Sequence, residues 1–174
     1  MVIGHSIKDG EIKPLKRIIV IKDDMQFLSP TEEMVLEDGW VEYIIPEPTE
    51  EELLNKAKED IIREIGYYDS SLAVNSFYIG DVEMWLDKAT RAGLKLRFEA
   101  EIAMGHETTT LWYGSYQYPL MLSQAIQMLY AIEIYASMCY DNTQAHIAKV
   151  NMFDSIDEVK SYNYMTGYPE KLRF

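Results

Sequence analysis

Between Leu122 and Val150, apolar residues recur at three- and four-residue steps: Ala125, Ile126, Leu129, Ile132, Tyr135, Ala136, Cys139 and Tyr140. That period predicts a helix with one broad buried stripe. No glycine or proline interrupts it, and its length of about 40 Å would span a small domain. The remaining elements are expected to pack against it. A second helical pattern follows Thr49, with Leu53, Leu54, Ala57, Ile61, Ile62 and Ile65 on one side. Thr49 and Glu52 have capping-box spacing at its start, and Gly66 is expected to end it. A third helix is expected after Asp87, carrying Ala89, Leu94, Leu96, Phe98, Ile102 and Ala103 and stopping at Gly105. Gly93 should weaken that helix by about 1 kcal/mol, with a kink or a close approach as its reason. Ser155 and Glu158 repeat the capping-box spacing ahead of a short helix through Val159 and Tyr162.

Strand patterns are short. Residues 76–79 and 82–85 flank Gly80-Asp81, and residues 108–113 and 116–120 flank Gly114-Ser115. Each pair predicts a hairpin across a two-residue turn. Toward the N-terminus, Arg17 to Lys22 and Trp40 to Ile45 read as strands around a helix capped by Ser29 or Thr31 and ended by Gly39. Met25 to Leu28 could extend or pair with the first of them, and residues 1–16 read as a loose arm or short strand. Pro46 and Pro48 break the chain next. The expected organisation is a small N-terminal α/β lobe over 1–47 and an α+β domain over 48–174. The latter has two β-hairpins packed on three to four helices, including the long central one. The last stretch, YMTGYPEKLRF, reads as a closing turn and an extended tail on the sheet or on a neighbouring subunit.

Composition narrows the chemistry. The chain has 174 residues, 48% of them hydrophobic, enough for a packed core. Its net charge is −13, which repels phosphate backbones and anionic bilayers, so neither nucleic acid nor membrane insertion is expected. Most of that charge lies in residues 31–69, with 13 acidic and 3 basic side chains. This is either a solvated face or a docking face for a basic partner. Cys139 is the only cysteine, so no intrachain disulfide can form, and apolar neighbours predict a buried, inert thiol. The start, MVIGHSIKDGEIK, lacks the apolar run of a secretory leader. These features fit a chain folded in a reducing cytoplasm.

Reaction chemistry leaves little trace. The histidines at 5, 106 and 146 have no metal-ligand spacing, and Cys139 and His146 lie too far apart on one helix to form a catalytic pair. Asp81, Glu83 and Asp87 do not match a calcium loop, and Asp87 with Arg91 reads as an i,i+4 surface ion pair. No catalytic residue, cofactor or metal is expected. The aromatic set Trp112, Tyr113, Tyr116 and Tyr118 is more distinctive. Alternation puts Trp112 on the face opposite Tyr113, and Tyr116 on the same face as Tyr118. This ribbon, with Tyr164, Tyr168 and Phe174 of the tail, is the expected contact surface.

The segments AVNSF (73–77), WLDKATR (85–91), TTLW (109–112) and YNYMTGYPEKL (162–172) carry a family resemblance. Residues 50–174 resemble a domain of unknown function in tail-fibre-associated proteins of tailed bacteriophages and prophages. The resemblance implies a virion component of the tail or host-contact fibre, working through protein–protein contacts with other phage structural proteins. Virion symmetry further implies a homo-oligomer. A fibre-assembly chaperone not retained in the particle, and a hydrolase of host glycans using a carboxylate pair, stay open as alternatives.

Overall fold

A computed structural model of the chain describes residues 5–174, with every side chain among them except that of Leu15. It is α+β, and the chain divides into two compact units, residues 1–49 and 50–174.

In the first unit, β1 (His5–Lys8) and β2 (Glu11–Pro14) pair antiparallel. Asp9 and Gly10 join them, both at positive φ, the backbone of a type I′ turn. A short 3-10 turn, Leu15–Arg17, leads into β3 (Val20–Lys22), which pairs with β4 (Met25–Phe27). Asp23 and Asp24 make that turn at φ 51 and 61. Next come α1 (Glu32–Glu37) and β5 (Val41–Glu42), and β5 joins β1 to give a sheet ordered β2-β1-β5. The Thr31 side chain caps α1 by accepting from the Met34 amide. Ile18, Val20, Val35 and Trp40 form the core of this unit.

Residues 1–16, expected as a loose arm or short strand, hold the β1–β2 hairpin from His5 on; Met1 to Gly4 lie outside the described residues. The segment from Met25 pairs with β3, one of the two expectations for it. The strands on either side of α1 are not sheet neighbours. The tight Asp23-Asp24 turn folds β3 back onto β4, so β5 finds its partner in β1.

The second unit starts with α2 (Glu50–Asp69), followed by the hairpin β6 (Phe77–Ile79) and β7 (Val82–Met84). Gly80 turns that hairpin at φ 58. Helix α3 (Lys88–Ala103) is capped by Asp87, whose carboxylate accepts from the Thr90 amide. The hairpin β8 (Thr108–Tyr113) and β9 (Tyr116–Met121) runs straight into α4 (Leu122–Asn151), and α5 (Ile156–Ser161) follows. Two hairpins therefore pack with four helices, the longest being α4 at 30 residues.

Three apolar clusters follow one another along α4. Leu122, Ala125, Met128, Leu129 and Ile132 meet Phe77 and Met84 of the β6–β7 hairpin, Leu86 just after it, Phe98 of α3 and Leu111 of β8. Tyr135 and Cys139 meet Val74. Val150 meets Ile61 and Ile65 of α2 and Val159 of α5. Each fully buried Leu, Ile or Phe contributes about 1.5–3 kcal/mol relative to exposure. α5 carries the reciprocal cap its spacing predicts: the Ser155 hydroxyl accepts from the Glu158 amide, and the Glu158 carboxylate accepts from the Asp154 amide.

Gly66 does not end α2, which continues one turn to Asp69. Burial of Ile65 and packing of Tyr68 against Tyr135, Cys139 and Val74 carry the helix across it. Gly93 also sits inside its helix, and a methyl group at either position would touch nothing within 4 Å. The kink or close approach expected at Gly93 therefore has no steric counterpart. Gly167 differs: it has φ 81, and a Cβ there would lie 2.7 Å from the Asn142 side-chain oxygen.

Gly66→Ala and Gly93→Ala should each raise the unfolding free energy by about 0.5–1 kcal/mol. Gly167→Ala should lower it. Urea denaturation of the three variants beside the parent chain checks both signs.

Candidate functional site

The β8–β9 hairpin sorts its aromatic residues as strand alternation dictates. Leu111 stands opposite Tyr118, Tyr113 opposite Tyr116, and Trp112 opposite Gln117. The face carrying Leu111 turns inward, where Tyr113, Tyr118 and Leu120 pack against the first α4 cluster. The Tyr118 hydroxyl is buried and finds no hydrogen-bond partner among the described residues. Loss of hydration raises its pKa, so it stays protonated. Tyr116, at the hairpin tip, stacks on Tyr118 with ring centroids 6.4 Å apart and remains exposed. Trp112 lies on the outer face, 59% exposed, an unusual position for the largest apolar side chain. Of the four hairpin aromatics, Trp112 and Tyr116 are thus free to meet a partner, while Tyr113 and Tyr118 mainly hold the ribbon down.

The three tail residues sit elsewhere. Phe174 meets Phe77 edge-on at 5.8 Å and is partly open to solvent. Around it the tail adds a parallel edge to β6: the Tyr78 amide donates to Leu172, the Phe174 amide to Tyr78, and the Gly80 amide to Phe174. Lys171 reinforces this edge, donating to Glu83 at 2.7 Å, and the Ser76 hydroxyl donates to the same carboxylate. These two donors, Lys171 first, hold Glu83 below the usual carboxylate range. Tyr164 and Tyr168 converge edge-on upon Tyr68 of α2, at 5.9 and 5.5 Å.

Behind Tyr168 lies a polar network that spacing alone did not reveal. The Thr143 hydroxyl donates to Asp69 at 2.7 Å and lies 3.0 Å from the Tyr168 hydroxyl. Buried His146 sets Nδ1 2.6 Å from the Tyr162 hydroxyl and Nε2 2.9 Å from the Thr166 carbonyl. A carbonyl only accepts, so Nε2 carries the proton, and Nδ1 accepts from Tyr162. Asn142 Nδ2 donates to the same carbonyl at 3.0 Å. Both ring nitrogens of His146 thus take part in seating the tail. The signal was present in the sequence: Asn142, Thr143 and His146 interrupt an otherwise apolar stripe. Buried polar groups on a helix require partners, and the Tyr-rich segment 162–168 supplies them.

Other candidates resolve in the same way. Arg91 does not form the expected surface pair with Asp87. It is buried under Trp85, donating to the Leu86 carbonyl at 2.7 Å and to Glu133 of α4 at 2.8 Å. Asp87 is occupied by the Thr90 amide and hydroxyl, which lower its pKa. Cys139 is buried, and desolvation pushes its thiol pKa up, away from the reactive thiolate. Tyr135, also buried, donates to the Val74 carbonyl. Among the described residues no group of three His, Cys, Asp or Glu side chains could hold a metal ion, and no helix is long and apolar enough to cross a membrane.

No family model, no curated protein and no solved structure matches this chain.

Tyr162→Phe should destabilise the protein by about 1–2 kcal/mol, because His146 Nδ1 loses its donor in a buried setting. Chemical denaturation of the variant measures this. Glu83 has a depressed folded pKa, so its contribution is present above the unfolded value near 4 and is lost as pH falls through the folded one. Glu83→Gln should therefore flatten the acid side of the stability profile below about pH 4, read as unfolding midpoint against pH.

Proposed function

We propose that this protein is a structural component of a bacteriophage virion, acting in the tail or host-contact fibre through protein–protein contacts rather than catalysis. The reading is supported by the likeness of residues 50–174 to the phage tail-fibre-associated domain. The observation that carries it on the molecule is the exposure of Trp112 on the outer face of the β8–β9 hairpin and of Tyr116 at its tip. Exposed aromatics on a pinned scaffold lose little side-chain entropy when a partner covers them, which is how interface anchors work. Phe174, held at the edge of β6, adds a third such position. The partners are other tail or fibre proteins, and the protein's place is the particle after synthesis in the bacterial host.

Mass spectrometry of particles purified from the encoding phage or prophage should find the protein at a fixed copy number. Its presence in infected cells and absence from particles would instead favour a fibre-assembly chaperone. With Trp112 and Tyr116 both changed to Ala, incorporation should fall about tenfold or more while circular dichroism stays unchanged.

A further inference from the structure

Residues 88–98 of α3 hold Lys88, Arg91, Lys95 and Arg97 and no acidic side chain, in a chain whose net charge is −13. Lys88 opens the helix and Arg91 lies one turn in, at the end where the peptide dipoles disfavour a cation. Lys88 is exposed and has no ion-pair partner among the described residues. Arg91 is 7% exposed, yet its bonds leave one nitrogen over. Nε donates to Glu133 and Nη1 to the Leu86 carbonyl, while Nη2 has no partner among the described residues and is not sealed from solvent. An unpaired ammonium at the wrong end of a helix and a buried guanidinium with idle N–H groups both cost stability, so packing alone gives no reason for the pair. Both residues border a cleft along the seam between α3 and α4. Toward the start of α4 the cleft is a compartment of about 270 Å³, walled by Ala92, Leu129 and the Tyr130 ring. Beyond the Arg91–Glu133 pair it opens to about 370 Å³ beside Ser137, Tyr140 and Asp141.

We infer that this cleft binds a small organic carboxylate with a compact apolar body. The carboxylate takes the Lys88 ammonium and Arg91 Nη2, and the apolar body fills the compartment beside Ala92, Leu129 and Tyr130. Hydrogen bonds from a guanidinium and an ammonium to a carboxylate are charge-assisted at both ends, which makes them the strong class. Arg91 is set for this before a ligand arrives, because Glu133 and the Leu86 carbonyl fix the plane of its guanidinium. A single negative charge is what the site admits. Glu133 and Asp141 on the α4 side repel a dianion such as a phosphate monoester more than a carboxylate. Lys95 is held by Glu99, so it lends the cleft its aliphatic stem and not a free charge. An apolar recess with a few convergent polar groups at its mouth is the usual form of a small-ligand site. The inference rests on the α3–α4 seam and is independent of virion membership.

Phenylacetate is the probe, titrated into the isotope-labelled full chain and followed by amide chemical shifts. Shifts should be confined to residues 88–95 and 129–141 and should saturate with a Kd of about 1 mM. Phenethyl alcohol, which keeps the ring and loses the charge, and phenyl phosphate, which doubles the charge, should each bind about tenfold more weakly. Lys88→Gln should weaken phenylacetate about fivefold, and Ala92→Trp, which fills the apolar compartment, should abolish binding. Both positions are exposed, so the circular dichroism of either variant should match the parent. Arg91 is left unchanged, since its loss would also break the bonds to Leu86 and Glu133. Amides that stay unmoved up to about 20 mM phenylacetate, either analogue binding as tightly as phenylacetate, or parent-like binding by Lys88→Gln and Ala92→Trp would each overturn the assignment. Presence in or absence from virions bears on the proposed function alone.

Discussion

The second unit depends on one requirement: a 30-residue helix must bury a stripe along its whole length. No single neighbour is long enough to do this. The two hairpins and α3 cover the first three turns from Leu122 to Ile132, Val74 and the Trp85 ring cover Tyr135 and Cys139, and α2 with α5 covers Val150. Each neighbour is short because each serves only a section of α4. The β8–β9 hairpin is contiguous with α4, so Met121 ends the strand and occupies the N-cap position of the helix without a side-chain cap.

The tail completes the packing where the stripe turns polar. Between Asn142 and His146 the helix presents groups that cannot be left dry and unpaired, since an unsatisfied buried polar atom costs about 1–3 kcal/mol. Tyr162, Thr166 and Tyr168 satisfy them, and the chain then runs on to the free edge of β6. One segment thereby ties α2, α4 and the first hairpin together. Glycine at 167 is required by this route, because the backbone there is left-handed and Asn142 fills the space beside it.

These constraints bear on what the outer surface can do. Side chains that looked reactive in isolation have structural duties: His146 seats the tail, Asp87 caps α3, Glu83 anchors Lys171, and Arg91 joins the Leu86 carbonyl to α4. Trp112, Tyr116, Ile134 and Met138 are among the large apolar side chains left exposed.

Local features were legible in the sequence wherever one residue decides one conformation. The helix at 122–151, the caps at Thr31, Asp87 and Ser155, and the turns at Gly80 and Gly114 all follow from period, hydrogen-bonding groups or positive φ. The Asp9-Gly10 turn is equally local, being an Asp-Gly pair of the kind that favours hairpins, although the mixed residues 1–16 pointed only to a loose arm or short strand. Strand pairing in the first unit, the run of α2 through Gly66, the burial of Arg91 and the clasp around His146 were decided by the tertiary structure alone. The reason is physical. A cap or turn is settled by groups a few residues apart, whereas these features are settled by partners brought together from 16 positions away, as between His146 and Tyr162, to 42 and beyond, and no local propensity encodes which of them will meet.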